Sequence, residues 1–135
     1  MARKRKKTRK ENLPLYKRKD RISTAQLKKV YFGNNKIQKS HLCIYCGTKS
    51  TSYHIDHKNP IAKGGSNRKS NLVIACSNCN SSKGDKRIRK WLRKIRSSKK
   101  ASDKTIYRRI VKNNKGKRSS LGKTVRRIRD SKSKS

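Results

Sequence analysis

Four cysteines stand in two matched pairs, Cys43-x-x-Cys46 and Cys76-x-x-Cys79. A CxxC turn presents two thiolates to one ion without strain, and two such turns supply the four soft ligands of a tetrahedral zinc ion. Gly47 follows the first pair and Asn80 the second, the small or polar followers expected of such knuckles. Four thiolates close the coordination sphere and leave no position for water, so this zinc is expected to be structural. Disulfides are the competing reading, and they require an oxidising compartment that no secretory signal suggests. A redox-active CxxC would need a separate explanation for each copy. Catalytic chemistry therefore has to come from other residues. Between the knuckles stand His54-Ile55-Asp56-His57-Lys58-Asn59-Pro60, then Gly64-Gly65 and Asn71-Leu72, and directly after the last cysteine comes Asn80-Ser81-Ser82-Lys83-Gly84.

A DHxxP step, a GG turn, an NL step and a terminal CxxCNxxKG, in that order and within one short stretch, resemble the HNH endonuclease family. The resemblance runs from Leu42 to Gly84, about a third of the chain. It implies a small α+β fold, a ββα-metal module stapled by the four-cysteine zinc site. Two strands would carry the DH and NL segments, and a helix would start near the last CxxC. Asn80 departs from the letters H-N-H, because the third residue of the family pattern is often His. Asn is a common variant there, so activity is not put in doubt and metal preference is left open.

Hydrolysis of a phosphodiester needs a deprotonated water in line with the leaving oxygen, and positive charge where negative charge gathers. A histidine with a pKa near ~6.5 is neutral at slightly alkaline pH and can take the water's proton. A carboxylate and a side-chain carbonyl offer two oxygen ligands to Mg²⁺ or Mn²⁺. The resemblance assigns His57 as general base and Asp56 and Asn80 as ligands of the catalytic metal. Asn71 is assigned to fix the loop and orient His57. Plainer readings stand beside these. Asn71 alone is a turn or strand-end residue, so its part is supporting, and Asn80 is expected to serve also as a helix N-cap. His54, two residues before Asp56 and on the same strand face, reads as a second metal ligand, a phosphate contact or a packed histidine, the last being preferred. His41, beside Cys43, reads as a surface residue. Lys83 and Arg87 are expected phosphate contacts at the start of the last helix of this segment.

Several short elements have to position these residues. Leu27, Val30 and Tyr31 fall at helical spacing within Thr24–Phe32, and Gly33-Asn34-Asn35 supplies a stop. Ser52–Asp56 and Leu72–Ala75 read as short strands. Beyond Gly84, Ile88, Trp91, Leu92 and Ile95 give a helix with one apolar face for packing. Two weaker amphipathic stretches, Ile106/Ile110 and Leu121/Val125/Ile128, leave open whether they dock on the module or form only against DNA. The resulting division is a disordered basic arm over residues 1–21, a helical cap and linker over 22–40, the HNH module with its following helix over 41–97, and a basic, weakly helical or disordered tail over 98–135.

The 135 residues are only 29% hydrophobic and carry 43 basic against 6 acidic side chains, a net charge of +37. Residues 41–85 hold six basic and two acidic groups, a net of +4 that leaves +33 to the flanks. Blocks of like charge at residues 1–10 and 83–100 repel unless phosphates neutralise them, which points to nucleic acid as the partner. No apolar stretch approaches a spanning length, and the basic N-terminus runs into Glu11-Asn12-Leu13-Pro14 without an apolar core, so no membrane and a cytoplasmic location are expected. The leading function is a metal-dependent nuclease acting on double-stranded DNA, with the family implying 5′-phosphate and 3′-hydroxyl ends. One rival is a non-catalytic basic zinc module binding RNA or a ribonucleoprotein. Another is an accessory nuclease that works inside a phage or mobile-element machine with partner proteins. The binding module has no reason to keep Asp56 beside His57, because an isolated carboxylate repels phosphate unless a cation sits between them.

Overall fold

The computed structural model describes residues 22–131. It begins with α1 (Thr24–Phe32). Ser23 caps this helix reciprocally. Its hydroxyl accepts from the Gln26 amide at 3.2 Å, and the Gln26 side-chain oxygen accepts from the Ser23 amide at 2.8 Å. Gly33 ends the helix with φ of 57°, a conformation that favours glycine. The expected helix and its stop are both present.

β1 (His41–Leu42) and β2 (Lys49–Ser50) make a short antiparallel ribbon around the first cysteine pair. β3 (Tyr53–His57) and β4 (Leu72–Cys76) form a second antiparallel sheet, with Tyr53 opposite Cys76 and His57 opposite Leu72. α2 (Ser77–Lys83) follows β4 without a linker, which completes the ββα order implied by the resemblance. Then come α3 (Ile88–Ser97), α4 (Ala101–Asn114) and α5 (Ser120–Asp130). Among the described residues, two small antiparallel sheets and five α-helices make this a small α+β fold, the class expected.

The paired strands β3 and β4 take part in two apolar clusters. Tyr53, Ile55, Leu72 and Ile74 pack with Phe32 of α1, which holds that helix over the β3 side. Tyr45, Ala75, Cys76 and Cys79 join Trp91, Leu92 and Ile95 of α3 in the larger cluster. Ile110 of α4 and Val125 and Ile128 of α5 complete it, each essentially inaccessible to solvent. Residues 98–131 are therefore largely helical and docked, where the sequence leaves a weakly helical or disordered tail open. Their apolar residues recur at helical spacing and find a ready partner in the apolar face of α3. Polar contacts reinforce the docking. Asn113 and Asn114 each donate to the Tyr45 carbonyl at 3.0 Å, so the end of α4 grips the first cysteine turn. Arg96 of α3 donates to the Ile128 and Ser131 carbonyls at the end of α5. Among the described residues, no helix is long and apolar enough to cross a membrane. The basic arm over residues 1–21 and the last four residues lie outside the described residues.

Candidate active site

The β1–β2 ribbon brings Cys43 and Cys46 against the β4–α2 junction, where Cys76 caps α2 and Cys79 lies one turn in. All four sulfurs lie within 4.8 Å of one another, and Cys46 and Cys76 are 3.6 Å apart, too far for a disulfide. A tetrahedron of thiolates about 2.3 Å from zinc separates its corners by roughly 3.8 Å, so the donor set and its spacing fit such an ion. The thiols are free. A hydrogen bond from Cys79 draws the Cys43 thiol down to about 5 against the opposing effect of burial. Burial pushes Cys76 up to about 11, and the bond to Cys43 pushes Cys79 higher still. Four sulfurs this close cannot all be thiolates without a cation among them. The expected Cys43, Cys46, Cys76 and Cys79 cluster is thus assembled and could hold a metal such as zinc.

A cleft of about 260 Å³ is lined by His54, Asp56, His57, Asn80 and Asp85 among its residues. Antiparallel pairing of β3 with β4 and the immediate turn into α2 bring Asn80 beside the β3 residues, though it is 23 positions from His57. Asp56 is buried. Its Oδ2 accepts from the Tyr45 hydroxyl at 2.6 Å and lies 3.2 Å from the Lys83 ammonium. Burial raises the Asp56 pKa, while the Lys83 charge and the Tyr45 hydrogen bond hold that rise back. Burial, then the neighbouring Asp56 charge, push the Tyr45 hydroxyl far above its ordinary range, so it remains a donor.

His57 is half-buried, with Nε2 2.8 Å from the Asn67 Oδ1. An amide oxygen can only accept, so Nε2 carries the hydrogen and Nδ1 is left as the proton acceptor. The side-chain hydrogen bonds of Asn71 go to the neighbouring loop rather than to the His57 ring. The Asn71 Oδ1 accepts from the Asn59 amide at 2.9 Å, and its Nδ2 donates to the Asn59 and Ser66 carbonyls at 2.9 and 2.8 Å. Asn71 thus ties the two ends of the 59–66 loop, and the expectation that it orients His57 transfers to Asn67. The GG turn lies in this loop. Gly64 has φ of 86°, and a Cβ on Gly65 would collide with the Asn59 carbonyl oxygen.

Several expectations need correction. Lys83 cannot greet a phosphate as placed. Its side chain is 0% exposed, paired with Asp56, and donates to the His57 carbonyl at 2.8 Å. The buried carboxylate demands a counter-charge, and the last residue of α2 is the cation within reach. Asn80 lies inside α2, whose N-cap is Cys76. His54 is exposed on the cleft rather than packed. His41 is half-buried, its ring 5.1 Å from Phe32 and 4.7 Å from Tyr53, so it belongs to the aromatic cluster under α1. Arg87 caps α3 from an exposed position, with its guanidinium 3.4 Å from Asn59 Oδ1 at the loop. Tyr45, Asn67 and Asp85 escaped the sequence reading because each meets the site through a contact distant in sequence or carries no motif letter.

Residues 43–86 match the family model described as HNH endonuclease. A curated relative, the CRISPR-associated endonuclease Cas9 of Actinomyces naeslundii, is 45% identical over 56 residues, which cover 38% of this chain and 5% of that protein. The chain thus corresponds to a small part of that relative's length. No solved structure matches. The resemblance read from the DHxxP, GG, NL and CxxCNxxKG elements coincides with the segment matched, and at the level of the family it supports a nuclease function.

Proposed function

We propose that this protein is a metal-dependent HNH endonuclease that hydrolyses phosphodiester bonds of DNA, leaving 5′-phosphate and 3′-hydroxyl ends. The observation that carries this reading is the convergence of Asp56, His57 and Asn80 on one cleft, with the Nε2 of His57 already engaged by Asn67. His57 takes the proton of the attacking water at Nδ1 and passes it to solvent. Asp56 and Asn80 would hold Mg²⁺ or Mn²⁺ through one carboxylate and one amide oxygen, and such an ion would supply positive charge for the scissile phosphate and the leaving oxygen. Asn71 fixes the loop beside the histidine, and Arg87 reaches a flanking phosphate from the loop's rim. Zinc in the four-cysteine cluster is structural. Basic residues beyond the segment 43–86, Arg89 and Arg93 of α3 and Arg127 of α5 among them, line a second cleft and add phosphate contacts independent of sequence. Cleavage of supercoiled plasmid by the full chain, with and without Mg²⁺ or Mn²⁺, tests the reading. Binding of nucleic acid without cleavage under any metal would favour the non-catalytic zinc module instead.

A further inference from the structure

We infer that the first cysteine turn also aims the catalytic carboxylate: Tyr45, the third residue of Cys43-Ile44-Tyr45-Cys46, is a positioning residue that fixes Asp56 for the catalytic metal. The inference rests on the proposed role of Asp56 as a metal ligand. Tyr45 is held at every part of its length. Its carbonyl accepts from Asn113 and Asn114, its ring stands edge-on to Trp91 at 5.1 Å, and its neighbours Cys43 and Cys46 belong to the sulfur cluster. From this buried frame its hydroxyl reaches Asp56, donating to Oδ2 at 2.6 Å.

A carboxylate accepts about four hydrogen bonds or ligand contacts through its two oxygens. Tyr45 occupies one site on Oδ2, and the Lys83 ammonium lies 3.2 Å from that oxygen and 3.5 Å from Oδ1. These two donors stop the carboxylate from rotating about its Cβ–Cγ bond, and sites remain that can face the cleft. The two partners differ in kind. Lys83 supplies the counter-charge that makes the buried position tolerable, whereas Tyr45 supplies direction without competing for the charge of an incoming cation. The sulfur cluster and the cleft are thus joined by one side chain, so ordering of the cysteine turn is transmitted to the metal ligand.

Tyr45→Phe tests this, because it keeps the ring against Trp91 and the backbone acceptor for Asn113 and Asn114 while removing only the hydroxyl. The full chain is compared with this variant for zinc content, for Mn²⁺ affinity by electron paramagnetic resonance of free Mn²⁺, and for plasmid cleavage against Mn²⁺ concentration. The expected result is one zinc retained, Mn²⁺ affinity weaker by about tenfold, and cleavage recovered at high Mn²⁺. A second arm uses Asp56→Ala with and without Tyr45→Phe. If Tyr45 acts through Asp56, removing its hydroxyl adds nothing once the carboxylate is gone. Unchanged Mn²⁺ affinity in Tyr45→Phe overturns the inference, as does a weakening that simply adds to that of Asp56→Ala. A wild-type chain that neither binds Mn²⁺ nor cleaves would remove the nuclease reading itself, and this inference with it. A wild-type chain that does both while Tyr45→Phe matches it removes the inference alone.

Discussion

At His57, the base in the proposed mechanism, the ring is held by Asn67, ten residues away, across the loop that Asn71 ties down. A neutral imidazole has two tautomers, and only one leaves Nδ1 free to accept a proton. Asn67→Ala removes the acceptor that selects it and lets the ring turn. The expected outcome is a cleavage rate lower on the order of tenfold, with DNA and metal affinity unchanged, because a misoriented base costs less than a missing one. Single-turnover cleavage beside Mn²⁺ binding checks it, and a wild-type rate would show that the ring needs no such partner. This pairing was not legible in the sequence. Ser66-Asn67-Arg68 reads as ordinary loop, and nothing in the letters brings Asn67 rather than Asn71 to the ring. Asp56 is similar. Its DH motif marks it as a ligand candidate, but its burial follows from Tyr45 and Lys83, 11 and 27 positions away.

At the scale of elements, the β1–β2 ribbon meets β4 and the start of α2 at the four sulfurs, at the core behind them and through one backbone bond, from the Ile44 amide to the Ile74 carbonyl at 2.8 Å. β1 and β2 have two residues each, too little pairing to persist alone in water. Removing zinc with a strong chelator is therefore expected to unfold the 41–85 region, and acidification should do the same as the thiolates take up protons and release the ion. Circular dichroism with metal analysis checks both. A folded protein with zinc content near zero would contradict the structural role. The cysteine spacing made this cluster legible, because a CxxC turn is local geometry. The strands Ser52–Asp56 and Leu72–Ala75 were also legible within a residue of their ends, since alternation and turn residues are local signals. The cap of α2 was not. The chain enters the helix at Cys76, four residues before Asn80, because the sulfur of Cys76 accepts from the Cys79 amide.

At the scale of the molecule, α4 and α5 join the same core as the cysteine cluster. Their amphipathic spacing was visible, but their docking was not, because it depends on an α3 face whose unpaired breadth only the folded structure displays. Each of Ile110, Val125 and Ile128 contributes roughly 1.5–3 kcal/mol by full burial, a large share of the stability of so small a protein. Truncation after residue 98 is thus expected to destabilise the whole fold, lowering the unfolding midpoint rather than merely loosening DNA binding. Substituting exposed Arg93 and Arg127 by Ala keeps the core and should reduce the salt slope of DNA affinity by roughly 0.9 for each phosphate no longer neutralised. Thermal melts and titrations at several salt concentrations separate these outcomes. A truncated chain with an unchanged melting midpoint would show that the helices are appendages.

The chemistry proposed for the intact protein is most directly tested by plasmid cleavage with wild type and His57→Ala across pH and Mn²⁺ concentration. His57→Ala leaves Asp56 and Asn80 in place, so Mn²⁺ and DNA are expected to bind as before while cleavage falls by a factor on the order of 10²–10⁴. The variant is expected to stay slower than wild type at every pH and Mn²⁺ concentration, because neither restores the missing proton acceptor. Equal cleavage by the two proteins, or wild-type cleavage that persists when divalent metal is removed, would contradict a metal-dependent nuclease with His57 as its base.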